Sequence, residues 1–318
     1  MVRIKQIDYR LIFKACKLYY EQNLTQLEIS KRLSISRPKV SRLLKQAEEV
    51  GIVKISIIPR PGFHTDLEDA LETKFRLREA VVVEVSNYES QVAVSKEVGA
   101  AAASYFLRAV EDPLVIGISW GTTLQAMVDS ISQQNLNKSH LVQLIGGLGN
   151  PESEAHATYI LRRLVSQINS RLSILNVPGI VDKAAVKSAV LSDSHVREAF
   201  KLFGKIDIAF VGIGVPTPDS VVMRDGTILT QNELDMLLSK GAVGDICLRF
   251  FNAEGQPVYS EIDERVIGIT LDEIKKIKTV VGVTGGPQKA NAIRSALNGK
   301  LINVLITDHV NARKLIEE

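Results

Sequence analysis

The sequence predicts an α/β protein with two domains: a small winged helix-turn-helix domain over residues 1–58 and a larger doubly wound α/β domain over residues 59–318. Three observations lead to this prediction. The first 60 residues carry apolar side chains at helical spacing, with capping residues between the helices. The proline, arginine and glycine residues at 59–62 have the composition of a linker. Beyond them, short apolar runs alternate with helix-like stretches, the pattern of a parallel sheet covered by helices.

The composition is that of an ordinary globular protein. Of 318 residues, 45% are hydrophobic and 24% are charged, which excludes a disordered chain, a collagen-like chain and a coiled-coil rod. Cys16 and Cys247 are too few for a disulfide framework and suit a reducing compartment. No apolar run approaches the roughly 20 residues that span a bilayer, and the N-terminal residues lack the apolar stretch of a secretory signal. We therefore expect a cytoplasmic protein with no membrane partner.

Charge is distributed unevenly along the chain. Residues 1–60 contain 13 Lys and Arg against 5 Asp and Glu, whereas the remainder contains 26 against 31. A basic head on a slightly acidic body is typical of a protein whose head alone meets a polyanion. A solvated basic surface explains the charge equally well. The sequence motifs are therefore needed to distinguish a polyanion-binding head from a solvated surface.

Three helices are predicted in the head. The first has Asp8 as its N-cap and extends to about residue 22. Thr25 and Glu28 have the spacing of a capping box, which begins a second helix. The third begins at Ser36 and ends at Gly51. The helical positions expected to be buried are Leu11, Ile12, Ala15, Leu18, Tyr19, Leu27, Ile29, Leu33, Val40, Leu43, Leu44 and Ala47.

A short turn at residues 34–36 separates the second and third helices, as in a helix-turn-helix. The start of the second helix of such a pair supplies base and phosphate contacts, and arginine, lysine and serine suit both. Residues 52–57 alternate as a strand does, which predicts a wing. The alternative is a three-helix packing module that touches no nucleic acid. The candidate DNA contacts are Thr25, Gln26, Ser36, Arg37, Lys39, Ser41 and Arg42.

Seven apolar runs in the body are bounded by glycine and proline and rich in valine and isoleucine, as buried parallel strands are. Ahead of them, a predicted helix over residues 65–77 carries Leu67, Leu71 and Phe75 four residues apart. This stripe either pairs two subunits or packs on the body itself. Ligands of such sheets bind outside the carboxyl ends of the strands. The predicted strands are residues 80–85, 114–118, 141–144, 172–177, 206–211, 280–283 and 302–307.

Glycine-rich turns follow two of these strands early in the body. After residues 114–118, Gly121 allows a tight turn, and the freed amides and the Thr122 and Thr123 hydroxyls suit a phosphate at a helix N-terminus. Ordinary capping of the helix by threonine is the alternative. A second turn, Gly146-Gly147, follows the third apolar run.

Two further turns lie later in the body. The segment GIGVP at residues 212–216 begins like a dinucleotide fingerprint but does not complete it, so it is weak evidence for NAD. Arg224, just beyond, is either a phosphate ligand or a surface arginine. Gly285-Gly286 precedes a proline that opens a helix, whose first turn holds Lys289. This lysine either faces the ligand or is solvated.

No motif of a known enzyme class is present. The sequence lacks a P-loop, an HExxH, a CxxC pair and a G-x-S-x-G elbow. The five histidines, at positions 64, 140, 156, 195 and 309, show no ligand spacing, so no metal site is predicted. Asp182, Asp245 and Asp263 are possible acids or bases, but nothing in the sequence pairs them, and Asp245 is interpreted as a turn or hydroxyl-binding carboxylate. We expect no catalytic residues and no cofactor.

Together these segments resemble the SorC family of bacterial sugar-responsive transcriptional regulators, over essentially the whole chain. The resemblance is carried by LTQLEISKRLSISRPKVSRLLKQAEEVGIV in the head and by GISWGTT, VGDICLRFF and TGGPQK in the body. The deoxyribonucleoside-regulator branch has a similar SWGTT loop. The family implies an N-terminal helix-turn-helix and a sensor domain similar in fold to sugar-phosphate isomerases and glucosamine-phosphate deaminases. It also implies dimers or tetramers, and phosphorylated sugars as effectors that change operator affinity.

The resemblance also implies an effector site. Four residues match the family's phosphate loop: Ser119, Gly121, Thr122 and Thr123. Arg224 matches a basic residue that can meet a second phosphate. In the deoxyribose-phosphate branch a lysine that forms a Schiff base stands immediately before the second glycine pair. Ile145 stands there in this chain, so a covalent imine is not expected at that position. The candidate effector-binding residues are Ser119, Gly121, Thr122, Thr123, Gly146, Gly147, Arg224, Asp245, Gly285, Gly286 and Lys289.

The sequence therefore predicts a transcriptional regulator that binds double-stranded operator DNA through its head and responds to a phosphorylated sugar of carbohydrate catabolism. The alternative is a sugar-phosphate isomerase or deaminase with an appended DNA-binding head. A third possibility, a NAD-responsive regulator, requires the full glycine fingerprint that residues 212–217 lack.

Overall fold

The computed structural model describes residues 8–56, 58, 62–148, 157–220, 222–223 and 228–317. The chain divides into two compact units, Met1–Arg60 and Pro61–Glu318, and each has its own core. In the described residues, no helix combines the length and apolar character needed to cross a membrane.

The described part of the N-terminal unit is helical. Helix α1 (Tyr9–Cys16) continues into a π-helical turn (Lys17–Glu21), and α2 (Gln26–Leu33) and α3 (Arg37–Glu49) follow. Three residues separate α2 from α3, and the first of them, Ser34, has a left-handed backbone conformation. The three predicted helices are therefore present, with the predicted short turn between the second and third.

Local capping explains where these helices begin. Asp8 accepts a hydrogen bond from the Leu11 amide at 3.0 Å. The Thr25 hydroxyl accepts from the Glu28 amide at 3.3 Å, and the Glu28 carboxylate accepts from the Thr25 amide at 2.8 Å, which completes the capping box. Ser36 stands before α3 as predicted, but its side chain makes no capping bond. The starts of α1 and α2 thus follow from short-range capping signals, whereas the start of α3 has no side-chain cap.

The core of this unit is close to the predicted set. Its buried residues include Ile12, Ala15, Leu18, Ile29, Val40, Leu43, Leu44 and Ala47, with Leu11 and Leu33 partly buried against them. Two expectations are wrong: Leu27 is 54% exposed and Tyr19 is 36% exposed. Leu27 lies two residues from buried Ile29, which is about 200° around the helix, so the two face opposite ways.

The predicted wing is not observed. The described residues 52–56 form no strand. Instead, the amides of Ile52 and Val53 both donate to the Ala47 carbonyl, at 2.9 and 3.2 Å, which turns the chain back onto the end of α3. Their side chains then pack against the helical core. The alternating pattern therefore reflects packing on α3 rather than strand pairing.

The C-terminal unit is built on a seven-stranded parallel sheet in the order β1-β9-β8-β5-β2-β3-β4. All seven predicted apolar runs overlap its strands. These are β1 (Glu79–Val83), β2 (Val115–Ile118), β3 (His140–Gln143), β4 (Arg171–Ser173), β5 (Ile208–Val211), β8 (Thr279–Val283) and β9 (Val304–Asp308). A separate antiparallel hairpin, β6 (Gly244–Ile246) and β7 (Arg249–Phe251), was not predicted.

Helices cover both faces of the sheet. Along β5, Ile208 and Phe210 pack in one core and Ala209 and Val211 in the other, because successive side chains of a strand point to opposite faces. The face that carries Phe210 is covered by α5 (Gln91–Ala109), α6 (Thr122–Ser130) and α7 (Ala157–Ile168). The opposite face is covered by α4 (Thr65–Phe75), α12 (Ala290–Asn298) and α13 (His309–Glu317). The remaining helices are α8 (Ala184–Ser192), α9 (Ser194–Lys201), a short 3-10 helix (Phe203–Lys205), α10 (Gln231–Ser239) and α11 (Leu271–Ile274).

The stripe on α4 packs within the unit. Leu71 is fully buried, and Leu67 and Phe75 are partly buried against the same core. Of the two interpretations of this stripe, packing on the body is the one observed.

Candidate functional site

A cavity of about 460 Å³ lies at the carboxyl ends of β2, β5 and β8. From β2 the chain moves outward to β3 and β4, and from β5 it moves the other way to β8 and β9. The strand order therefore reverses between β2 and β5, which is where ligands bind in open α/β sheets. The polar residues lining the cavity include Glu89, Gln91, Ser119, Thr122, Thr123, Thr217, Asp219, Asp245, Thr284 and Lys289.

The turn after β2 presents the start of α6 to this cavity. Gly121 is the residue before the helix, with φ at 123° and no atom near the place a Cβ would occupy. Because glycine has no side-chain acceptor, the amides of the first helical turn are left for a ligand. Thr122 is exposed to the cavity, and the Thr123 hydroxyl lies 3.2 Å from the Ser95 hydroxyl. Threonine capping, the alternative for this turn, is not observed.

The turn after β5 brings Asp245 close to the backbone. Gly214 and Asp245 exchange two backbone hydrogen bonds, of 2.9 and 3.2 Å. A Cβ on Gly214 would lie 1.9 Å from the Asp245 carboxylate. The second glycine of the GIGVP segment therefore makes room for this acid rather than for a dinucleotide.

Asp245 itself lies on β6 and is buried. Its carboxylate accepts a hydrogen bond from the Leu248 amide at 3.1 Å. Burial raises the pKa of Asp245 to about 6, against the opposing effect of the positive charge on Lys289. The carboxylate is thus largely ionised at neutral pH but titrates within reach of physiological conditions.

Lys289 immediately precedes α12 and is half-buried in the cavity wall. Its ammonium group donates to the Ile213 carbonyl at 2.8 Å. Burial lowers its pKa, while Asp245 acts in the opposite direction. Of the two interpretations of this lysine, a position beside the cavity is the one observed.

Cys247 and Ser119 both line the cavity, and their side chains are in contact. The Ser119 hydroxyl lies 3.1 Å from the Cys247 thiol, and burial raises the pKa of that thiol to about 12. Cys247 and Leu248 form the two-residue turn of the β6–β7 hairpin, both with positive φ. The thiol is therefore a protonated, inert lining group rather than a nucleophile.

Gly285 and Gly286 do not belong to the described lining of the cavity, although residues on both sides of them do. Gly286, with φ at 101°, donates its amide to the Asp308 carboxylate at 2.8 Å. The Asn311 side chain donates to the Gly286 carbonyl at 2.9 Å, and Gln91 donates to the Gly285 carbonyl at 3.1 Å. These bonds fix the turn that carries Lys289.

Gly146 and Gly147 do not belong to the described lining of the cavity. Their amides donate to the carbonyls of Ile267 and Val177, at 3.0 and 2.9 Å. A Cβ on Gly146 would lie 2.5 Å from the Val177 carbonyl oxygen. This turn is used for close backbone packing. Arg224 lies outside the described residues.

In the N-terminal unit, the candidate DNA contacts at the start of α3 are accessible to solvent. Ser36, Arg37, Lys39, Ser41 and Arg42 are all exposed. Thr25, Gln26 and Arg37 border the same hollow, together with Tyr19, Tyr20 and Asn23. The Thr25 hydroxyl is already engaged with Glu28.

Sequence reasoning missed several residues of the site. Gln91, Cys247, Asp308 and Asn311 were not singled out. Asp308 had a usable signal, because it directly follows the last apolar run, at the carboxyl end of a buried strand. Gln91 and Asn311 had none, since each lies in a helix and acts through contacts distant in sequence.

Known proteins resemble this chain over both of its units. A family model described as "Putative sugar-binding domain" matches residues 60–317. The deoxyribonucleoside regulator of Bacillus subtilis (strain 168) is 32% identical over 309 residues, covering 97% of this chain and 98% of the relative. The sorbitol operon regulator of Klebsiella pneumoniae is 30% identical over 318 residues, covering 98% of each.

The crystal structure of the full-length sorbitol operon regulator SorC from Klebsiella pneumoniae agrees with a TM-score of 0.73 at 31% identity, over 96% of this chain and 98% of that chain. The chain belongs to the SorC family of transcriptional regulators. The resemblance found in the sequence is confirmed. The residues that line the cavity all lie within the range 60–317 that matches the putative sugar-binding domain.

Proposed function

We propose that this SorC protein binds operator DNA through its N-terminal unit and that a phosphorylated sugar in the cavity sets its affinity for DNA. The single observation that carries the effector part is the cavity at the β2–β5 reversal, where a glycine-capped helix start and Lys289 line the same space. The cavity volume of about 460 Å³ suits a small molecule, since such sites hold roughly 300–1,000 Å³.

The phosphate group would lie at the start of α6. Backbone amides at a helix N-terminus point at an anion, and the helix dipole favours negative charge there. The Thr122 hydroxyl adds a donor, and Lys289 adds a positive charge. A dianionic phosphate also favours the protonated form of the lysine, offsetting the effect of burial on its pKa.

The sugar hydroxyls would meet the acidic side of the cavity. Ionised Asp245 is an acceptor only, and Glu89 and Asp219 line the same space. Acceptors of this kind suit the hydroxyl groups of a sugar. An enzyme is the second candidate. Asp245, a buried acid with a raised pKa, and Lys289 line the same cavity, and acid–base catalysts use such pairs of groups.

The DNA part rests on the α2–α3 pair. Its three-residue turn and the exposed polar and basic start of α3 support a helix-turn-helix. Assembly as a dimer or tetramer would match operators with two half-sites. The effector changes DNA affinity only if it binds the DNA-competent and DNA-incompetent assemblies unequally.

Calorimetry with a panel of phosphorylated sugars and their free counterparts tests the effector proposal. We expect saturable binding of at least one phosphorylated sugar and binding at least tenfold weaker for its free counterpart. Chromatography of the mixture after incubation separates the two functions, since a sensor returns its ligand unchanged whereas an isomerase or deaminase converts it. No binding by any phosphorylated member, or turnover of the bound one, would count against a sensor.

A substitution in α3 tests the DNA proposal. We expect Arg37→Ala and Arg42→Ala to weaken binding to the protein's own upstream DNA while leaving sugar binding unchanged. Arg197→Ala, an exposed arginine on α9, is the matched control. Intact DNA affinity in both α3 variants would remove α3 from the DNA interface.

A further inference from the structure

Outside the cavity, the structure brings together His64, Glu84 and His309, whose ligand-type atoms all lie within 4.8 Å of one another. His64 precedes α4, Glu84 follows the edge strand β1, and His309 begins α13. We propose that this triad is a binding site for a divalent transition-metal ion of the zinc class. The inference is independent of the proposed effector site.

The carboxylate lies between the two imidazoles. The His64 Nε2 atom is 2.5 Å from one Glu84 oxygen, and the His309 Nε2 atom is 3.7 Å from the other. The two rings are nearly parallel, at 9°, with centroids 5.3 Å apart. Zinc–ligand bonds of about 2.0–2.1 Å place tetrahedral ligand atoms roughly 3.3 Å apart. To bind the ion, the short His64–Glu84 contact has to lengthen and the longer contacts have to shorten, which requires rotation of the exposed Glu84 side chain and smaller shifts of the two histidines.

Two imidazoles and one carboxylate are a donor set suited to zinc and its neighbours rather than to magnesium or calcium, which prefer oxygen ligands. Three protein ligands leave the fourth position for water or another group. Glu84 is exposed and both histidines are half-buried, so an ion reaches the triad from solvent.

The hydrogen bonding of His309 makes ion binding observable. Its Nδ1 atom accepts from the Val85 amide at 3.3 Å, so in the neutral ring the proton is on Nε2, towards Glu84. Ligation through Nε2 moves a proton to Nδ1 and breaks this long bond. The Val85 amide therefore changes its environment when the ion binds.

The position of the triad gives the ion a structural effect. Asp308, the residue before His309, holds the Gly286 amide of the turn that carries Lys289. His64 stands near the beginning of the C-terminal unit, four residues beyond Arg60. A bound ion therefore ties the start of this unit to its edge strand and to its last helix, next to the effector turn.

Zinc titration of the full-length, tag-free protein tests the site. After treatment with a chelator, calorimetry with zinc chloride is expected to show one ion per chain, and cobalt chloride to give the absorption of a tetrahedral complex. We expect Glu84→Gln and His309→Gln each to weaken zinc binding by at least tenfold. His195→Gln, an exposed histidine on α9, is the matched control and retains wild-type affinity.

Two further readouts keep the test decisive. Zinc is expected to raise the melting temperature of the wild type but not of Glu84→Gln, which keeps its size at an exposed position and so folds even if a histidine variant does not. In the wild type, zinc shifts the Val85 amide resonance. No zinc uptake by the folded wild type, or equal uptake by wild type and Glu84→Gln, would overturn the proposal.

Discussion

The glycine turn after β2 and the glycine turn after β3 follow neighbouring parallel strands at the same edge of the sheet. Gly121, in the first, has open space where a Cβ would be and leaves helix amides directed at a cavity. Gly146, in the second, has the Val177 carbonyl oxygen at 2.5 Å from that position, and its amide is bonded to Ile267. One turn is arranged for a ligand and the other for the packing of the protein's own backbone.

The difference shows what a glycine-rich strand end does and does not indicate. Both turns need glycine, but for different reasons: conformation at Gly121 and close approach at Gly146. A turn whose amides donate hydrogen bonds within the protein contributes to stability. A turn whose amides have no partner within the protein lowers stability until a ligand accepts their hydrogen bonds. Substitutions in the two turns and their surroundings should therefore affect different measurements.

Gly146→Ala is expected to have the largest effect on stability. The added methyl group meets backbone oxygens of Val177 and Pro178 at 2.5 and 2.6 Å, and such overpacking costs about 2–3 kcal/mol. Urea denaturation measures the loss. Gly204→Ala is the control, since nothing lies near its Cβ position. Equal stability of the two variants would contradict the packing role of this turn.

Lys289→Met is expected to lower affinity for the phosphorylated sugar by about 100-fold, equivalent to about 2.7 kcal/mol, because the cation beside the phosphate is lost together with its hydrogen bond to the Ile213 carbonyl. Calorimetry with the sugar identified in the panel measures the loss. Exposed Lys205→Met tests whether net charge alone is responsible. Similar losses in both variants would argue against a specific contact.

Asp245→Asn is expected to raise stability at pH 7 by about 1–3 kcal/mol while weakening sugar binding. The pKa of this buried acid is about 6 in the folded protein, in place of the ordinary 3.8. Between pH 3.8 and pH 6 the folded protein therefore binds more protons than the unfolded one. Stability therefore falls as pH rises from about 4 to 6, and the full deficit persists above pH 6. Denaturation at pH 4 and pH 7 checks this. A gain at pH 7 that persists undiminished at pH 4 would contradict the account.

Thr122→Val is expected to have the smallest effect, a loss of about fivefold in sugar affinity, because one hydroxyl contact is removed and the backbone amides stay. Thr65→Val, an exposed threonine at the start of α4, is the control for calorimetry. A complete loss of binding would move the main phosphate contact from the amides to the hydroxyl.

The sheet was predictable because buried parallel strands are nearly continuous apolar runs, and all seven were found. Helix starts in the head were predictable from short-range capping residues such as Thr25 and Glu28. The alternation of Ile52 and Val53 was misleading because strand period and packing on a helix end are indistinguishable over a few residues. The β6–β7 hairpin was missed because its turn uses Cys247 and Leu248 rather than the usual glycine or asparagine.

The candidate site was predictable only in part. Ser119, Gly121, Thr122 and Lys289 line one cavity because the carboxyl ends of parallel strands meet at one edge of the sheet. Asp245 lines the same cavity from the β6–β7 hairpin, which the sequence did not predict. The Asp308–Asn311 contacts that hold Gly286 depend on tertiary packing. So does the pairing of His64 with His309, whose wide separation in sequence hides any ligand spacing.

Operator affinity measured by fluorescence anisotropy, with and without the bound sugar, tests the central claim most directly. Salt has to be constant, because phosphate contacts make DNA affinity strongly salt-dependent. We predict that a phosphorylated sugar changes the affinity of the wild type for its own upstream DNA by at least tenfold, and that Lys289→Met shows no change at the same concentration. Equal DNA affinity with and without a sugar that demonstrably fills the cavity would contradict the account.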